Sequence, residues 1–99
     1  MNIKIKATKI ELTKAIEAAI NEKLNKLNKY SDNIISAEVE VGKTTAHHHK
    51  GNVFRAEVNL EVPQKIIRAE AETNDLYKSL TKVRDKLKIE LIKYKETRK

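Results

Sequence analysis

Phe54 to Thr73 reads FRAEVNLEVPQKIIRAEAET, and its alternation decides the fold. Phe54, Ala56, Val58, Leu60 and Val62 take every second position, with Arg55, Glu57, Asn59 and Glu61 between them. Successive side chains of a strand point to opposite faces, so this run predicts a strand with one apolar and one polar face. Pro63 lacks the N–H that a central ladder needs and stops the run, and Pro63-Gln64-Lys65 has the length of a hairpin connection. A second alternation then passes through Ile67, Ala69, Ala71 and Thr73 and ends at Asn74, the expected cap of a following helix.

Upstream, Ile35, Ala37, Val39 and Val41 share one face of a further strand, while Ser36, Glu38 and Glu40 share the other. A loop from Gly42 to Gly51 joins it to the run at Phe54. At the N-terminus, NIKIKA (2–7) alternates with Ile3 and Ile5 inward and Lys4 and Lys6 outward. Between these strands the period changes. Ile16, Ile20, Leu24 and Leu27 recur at helical spacing behind Thr13, a residue suited to an N-cap, and the helix is expected to end near Tyr30, before Ser31-Asp32-Asn33. A final helical stripe runs through Leu76, Leu80, Val83, Leu87, Leu91 and Tyr94.

The predicted class is α+β in the order β-α-β-β-β-α. Three strands joined by short connections form an antiparallel meander. The first strand reaches its neighbour through a helix, which requires a right-handed crossover and a parallel pair. A four-stranded mixed sheet follows, with both helices packed on its apolar face. The 99 residues, 39% of them hydrophobic, suit a single domain over 1–99 with no internal linker or repeat. The absence of cysteine excludes disulfide and thiol chemistry. The N-terminus lacks the apolar core of a signal peptide and no run approaches a membrane span, so the expected location is cytoplasmic, with no membrane partner.

Catalytic chemistry finds little support. Glu38 and Glu40, Glu57 and Glu61, and Glu70 and Glu72 all fall on outward strand positions, where Arg55, Lys65 or Arg68 can offset them. A working acid/base pair needs at least one carboxyl desolvated in a cleft, so these read as a solvated face. There is no nucleotide loop, nucleophile elbow or Cys/His pair. No enzyme activity, cofactor or small-molecule substrate is expected. His47, His48 and His49 lack the further ligands that a built metal site uses, and they read with Lys50 as an exposed loop beside a phosphate backbone.

Charge points elsewhere. The net charge is +7, and Asn74–Lys99 holds nine Lys/Arg against four Asp/Glu. At about 100° per residue, Lys82, Lys86 and Lys93 lie on one flank of the last apolar stripe, with Arg84, Lys88, Lys95 and Lys99 roughly on the other. The first helix adds Lys14, Lys23, Lys26 and Lys29. Some of this charge can be spent on pairs within the helix, such as Glu90 with Lys86. Even so, cations outnumber their partners on the helices and acids gather on the sheet, the footprint of phosphate-backbone binding by shape. Folded RNA suits it, since its deep major groove prevents side chains from reading base edges.

Three stretches, IKIKATKIELTKAIEAAINEKLNKLNKY (3–30), HHHKGNVFRAEVNLEVP (47–63) and IRAEAETNDLYKSLTKVRDKLKIELIKYK (67–95), together resemble the ribosome hibernation factors. These comprise the short hibernation promoting factors and ribosome-associated inhibitor A, formerly called sigma-54 modulation proteins. Asp75-Leu76-Tyr77 and Asp85-Lys86-Leu87 with Lys93-Tyr94-Lys95 are the most specific features. Ala7 departs from the family's usual glycine after the first strand, and Leu80-Thr81 from its usual Ile-Asp.

The resemblance implies a fold similar to double-stranded RNA-binding domains and no catalytic group. It further implies binding to the 30S ribosomal subunit near the decoding centre, blocking the mRNA and tRNA channel and holding ribosomes inactive under stress or in stationary phase. Lys82, Arg84, Lys86, Lys88, Lys93 and Lys95 would then contact 16S rRNA, with Lys23 and Lys26 beside them and His47, His48, His49 and Lys50 as an RNA-proximal loop. Stopping at Lys99, the chain resembles the short class, without the linker and C-terminal dimerisation domain of the long one. In that class a separate ribosome modulation factor acts on the same ribosomes. A general double-stranded RNA-binding module is the alternative.

Overall fold

The structure is a computed structural model that describes residues 1–44, 51 and 53–97. Strand β1 (Asn2–Thr8) leads to helix α1 (Lys14–Asn25), which tightens into a 3-10 turn over Lys26–Lys29. Strands β2 (Ser36–Thr44), β3 (Val53–Val62) and β4 (Lys65–Thr73) follow, and helix α2 (Leu76–Thr97) closes the order. The sheet runs β1-β2-β3-β4. β1 is parallel to β2, and the other two pairs are antiparallel. The mixed sheet and its single crossover are those expected from the alternation of periods.

Register places the apolar positions in continuous rows across the sheet. Ile5 pairs with Val39, Val39 with Val58 and Val58 with Ala69. Onto this face α1 and its turn deliver Ile20, Leu24 and Leu27, while α2 delivers Leu76, Leu80, Val83, Leu87, Leu91 and Tyr94, in one buried cluster. Leu87 and Leu91 are fully buried, and truncating either to Ala removes about 2–5 kcal/mol of packing.

The opposite face is polar. Glu40, Glu57 and Glu70 fall directly abreast in the register, a repulsive row that two arginines relieve. Arg55 pairs with both Glu57 and Glu70, and Arg68 with the same two carboxylates. Desolvation pulls the Arg55 guanidinium down, but its hydrogen bond to Glu70 and the charges of Glu57 and Glu70 hold it above its ordinary range. Lys65 makes no such pair among the described residues. The Thr8 hydroxyl donates to Glu40 at 3.0 Å.

Local chemistry accounts for the element boundaries. The Thr13 hydroxyl accepts from the Ile16 N–H at 3.1 Å, capping α1, and Glu17 sits in the first turn, where a negative charge favours the helix dipole. Helix α2 is capped one residue later than Asn74. The Asp75 carboxylate accepts from Tyr77 N–H at 2.8 Å and Lys78 N–H at 3.3 Å. Ser79 is fully buried, and its hydroxyl donates to the Phe54 carbonyl at 2.8 Å, fastening the start of α2 to β3. Twenty-two residues make α2 about 33 Å long. Near its other end the Tyr94 hydroxyl donates to the Pro63 carbonyl at 2.8 Å, tying it to the β3–β4 turn.

Two further expectations are corrected. Ile34 is buried and Ile35 is 50% exposed, because the strand begins only at Ser36 and the alternation does not extend into the chain entering it. Gly42 belongs to β2 rather than to a loop, paired with Thr8 and Arg55. A Cβ there would stand 2.5 Å from the Thr8 carbonyl oxygen, so only glycine permits that close approach of β1 and β2. Around the departure at Ala7 the unusual backbone lies two residues on. Ala7 stays in β1 opposite Val41, and Lys9 takes the left-handed conformation at φ 63°.

Candidate RNA-phosphate interface

Helix α2 sends its two cationic flanks to different places. On one side Lys86 reaches the edge of the sheet, where its ammonium donates to the Glu70 carbonyl at 2.7 Å. This replaces the expected pair with Glu90, because an edge-strand carbonyl without a ladder partner is a better-placed acceptor than a solvated carboxylate. Glu90 instead lies 4.0 Å from Lys93. Lys82 is exposed. Part of this flank's charge is therefore already engaged within the chain.

The other flank faces the end of α1. Lys26, Leu27, Lys29 and Tyr30 on one side and Arg84, Asp85 and Lys88 on the other line a cleft of about 330 Å3. Leu27 is fully buried beneath it. The α1 stripe requires this meeting: Ile20, Leu24 and Leu27 turn toward the core, which leaves Lys26 and Lys29 at the rim facing α2. The 3-10 turn tightens the last residues and delivers Tyr30 to the cleft.

Tyr30 organises the charge. The Lys29 ammonium stands 5.4 Å from the ring centroid and the Lys88 ammonium 5.2 Å. Each such contact contributes about 0.5–1 kcal/mol at an exposed site. Partial desolvation raises the Tyr30 phenol's pKa, but the hydrogen bond with Lys88 and the charges of Lys29 and Lys88 outweigh it, so the phenol ionises below its ordinary range. Arg84 is held by its neighbour Asp85, with Nη2 at 2.9 Å and Nε at 3.2 Å from the same carboxylate oxygen. Lys26 pairs with Glu22 at 3.5 Å across the α1 surface. No carboxylate among the described residues forms a salt bridge with Lys29 or Lys88.

Of the residues expected at the interface, Lys26, Arg84 and Lys88 thus share one cleft. Lys95 lies at the far end of α2, in a depression with Ser31, Asp32, Asn33 and Tyr94. Lys23 is half-buried in the last turn of α1. Lys82, Lys86 and Lys93 belong to the β4 side. His47, His48, His49 and Lys50, and Lys99 of the second flank, lie outside the described residues. Sequence reasoning treated Lys29 as one cation among several and Tyr30 only as a helix end. Their adjacency was the available signal, but it does not say that Lys88 arrives over the same ring. A depression on the polar sheet face mixes Lys4 and Lys6 with Glu38, Glu40 and Glu57, and it has no comparable excess of one sign.

Residues 3–99 match the family described as sigma 54 modulation protein / S30EA ribosomal protein. The chain belongs to that family. It is 36% identical to a ribosome hibernation promotion factor of Deinococcus radiodurans over 87% of the chain, but spans only 44% of that protein's length. It is 30% identical to a ribosome hibernation promoting factor of Acinetobacter guillouiae, covering 97% of the chain and 88% of the relative. Among solved structures, the N-terminal domain of Protein Y from Thermus thermophilus superposes with a TM-score of 0.84 at 28% identity, covering 95% of this chain and 99% of that one.

Proposed function

We propose that this protein is a ribosome hibernation factor that works by occupancy rather than by catalysis. It binds the 30S subunit near the decoding centre through 16S rRNA phosphates, blocks the mRNA and tRNA channel and keeps ribosomes inactive under stress or in stationary phase. The observation that carries this reading is the excess of cations along the helix side, concentrated where α1 and α2 meet, opposite a sheet face rich in glutamate. Such an arrangement attracts a polyanion to one side of the molecule and turns the other away. The names of its relatives support the ribosome as that polyanion.

Residues 1–99 act in this reading as one ribosome-binding unit in the cytoplasm, and a separate modulation factor works on the same ribosomes. No helix among the described residues is long and apolar enough to cross a membrane, and no described group of His, Cys, Asp or Glu is placed to hold a metal.

Co-sedimentation with purified 30S subunits at two salt concentrations tests the proposal. The protein pellets with the subunits at low salt and is released at high salt; failure to pellet at low salt removes the reading. Competition between naked duplex RNA and 30S subunits separates it from a general double-stranded RNA-binding module. Equal affinity for both favours the general module.

A further inference from the structure

The two ammoniums over Tyr30 form an arrangement that the fold alone does not require. Lys29 comes from the 3-10 turn and Lys88 from the middle of α2, yet both stand within 5.4 Å of one ring centroid. Neither forms a salt bridge with a carboxylate among the described residues. Arg84 and Lys26 line the same cleft, and the one acid in its wall, Asp85, is already engaged by Arg84. Like charges drawn together from two elements, on a half-buried aromatic platform, leave a concave site whose unmet requirement is an anion.

We propose that this cleft is a discrete phosphate-binding site and that Tyr30 is its positioning residue. The ring holds the Lys29 and Lys88 ammoniums in place, so that they and Arg84 close on a phosphate group while Lys26 supplies charge at the rim. A phosphate is favoured over a carboxylate ligand because several donors converge from both walls of the cleft, and a phosphate presents acceptor oxygens to each of them. The source of the phosphate follows from the function proposed above, whose RNA backbone would supply it, whereas the site itself stands on the cleft geometry.

The test is titration of the full chain with inorganic pyrophosphate, followed by two-dimensional NMR of the backbone amides. Saturable shifts confined to residues 26–30 and 84–88 are expected. Tyr30→Phe keeps the platform and binds within about twofold of the parent, whereas Tyr30→Leu and Lys29→Gln each weaken binding about fivefold or more. Lys4→Gln, on the sheet face, loses the same charge and leaves the affinity unchanged. Should Tyr30→Leu unfold, as circular dichroism would reveal, Lys29→Gln at its exposed position decides the matter. Shifts spread evenly over all lysines, or variants that bind like the parent, overturn the proposal.

An RNA duplex without terminal phosphates is then added as competitor. Displacement of pyrophosphate assigns the cleft to backbone phosphates, and persistence of the pyrophosphate shifts assigns it to a free phosphate ligand. A chain that binds pyrophosphate in the cleft but never pellets with 30S subunits disproves the ribosomal function and leaves the site standing. One that pellets with cleft variants unaffected leaves the ribosomal function standing and overturns the assignment of the cleft to RNA backbone phosphates.

Discussion

Gln64 carries a positive φ of 68° directly after Pro63, the sign pattern of a type II turn, in which a side chain at the second central position is strained. Gln64→Gly should stabilise the protein by about 0.5–1 kcal/mol, measured by urea unfolding, because relief of the left-handed strain exceeds the added freedom of the unfolded chain. Tyr30 gives a second test at this scale. Since Lys88 contributes both a hydrogen bond and a charge to lowering its phenol, Lys88→Met should move the titration back up toward the ordinary tyrosine value, followed by absorbance near 295 nm or by NMR. The linkage sign is that of an acid depressed by folding: the phenolate contacts stabilise the native state only at high pH and are lost as pH falls through the lowered value. Neither feature was legible beforehand. Pro63 announced a turn, but its handedness depends on the register of the two strands, and Tyr30 had no cationic neighbour from α2 until the helices packed.

Helix α2 shows at the next scale how an element is placed as well as formed. Its stripe from Leu76 to Tyr94 was fully readable, because burial on one face imposes the 3.6-residue period whatever the partner surface. Its start was misplaced by one residue: Asn74 and Asp75 both have capping side chains, and the backbone geometry after Thr73 chooses between them. The Thr73 hydroxyl accepts from the Asp75 N–H at 3.1 Å, bending the chain so that the Asp75 carboxylate meets the helix end. Asp75→Ala should therefore cost about 1 kcal/mol in chemical denaturation, with Asn74→Ala near neutral. At the far end, Tyr94→Phe should cost about 1–2 kcal/mol by the same measurement, since the Pro63 carbonyl loses the Tyr94 donor while the ring stays packed. Both changes should leave ribosome binding per folded molecule unaltered.

For the whole molecule the decisive property is the separation of charge, with glutamates tied to Arg55 and Arg68 on the sheet face and cations left over on the helices. Binding through phosphates releases counterions, so affinity for 30S subunits should fall steeply with salt. Lys29→Gln and Lys88→Gln should each flatten the slope of log affinity against log salt by roughly one. Lys26→Gln and Arg84→Gln should flatten it by less, since those cations already pair with Glu22 and Asp85. Lys86→Gln should flatten it less, because its ammonium already serves the Glu70 carbonyl. Equal effects from Lys86 and Lys88 would show that the two flanks of α2 contribute alike and that the cleft has no special place in the interface.

By itself the sequence determined the elements, their order, the faces that they bury and the excess of positive charge on the helices. All of these follow from local period and composition. Tertiary structure decided which cations converge. Lys29 and Lys88 are far apart in the chain and meet over Tyr30 only because α1 ends, tightened by its 3-10 turn, against the middle of α2. It also decided which cation is engaged within the chain, since Lys86 reaches Glu70 only where α2 lies along the β4 edge. Periodicity gives the face of a helix on which a residue sits, but the neighbour across that face depends on how the helices cross and on the sheet that supports both.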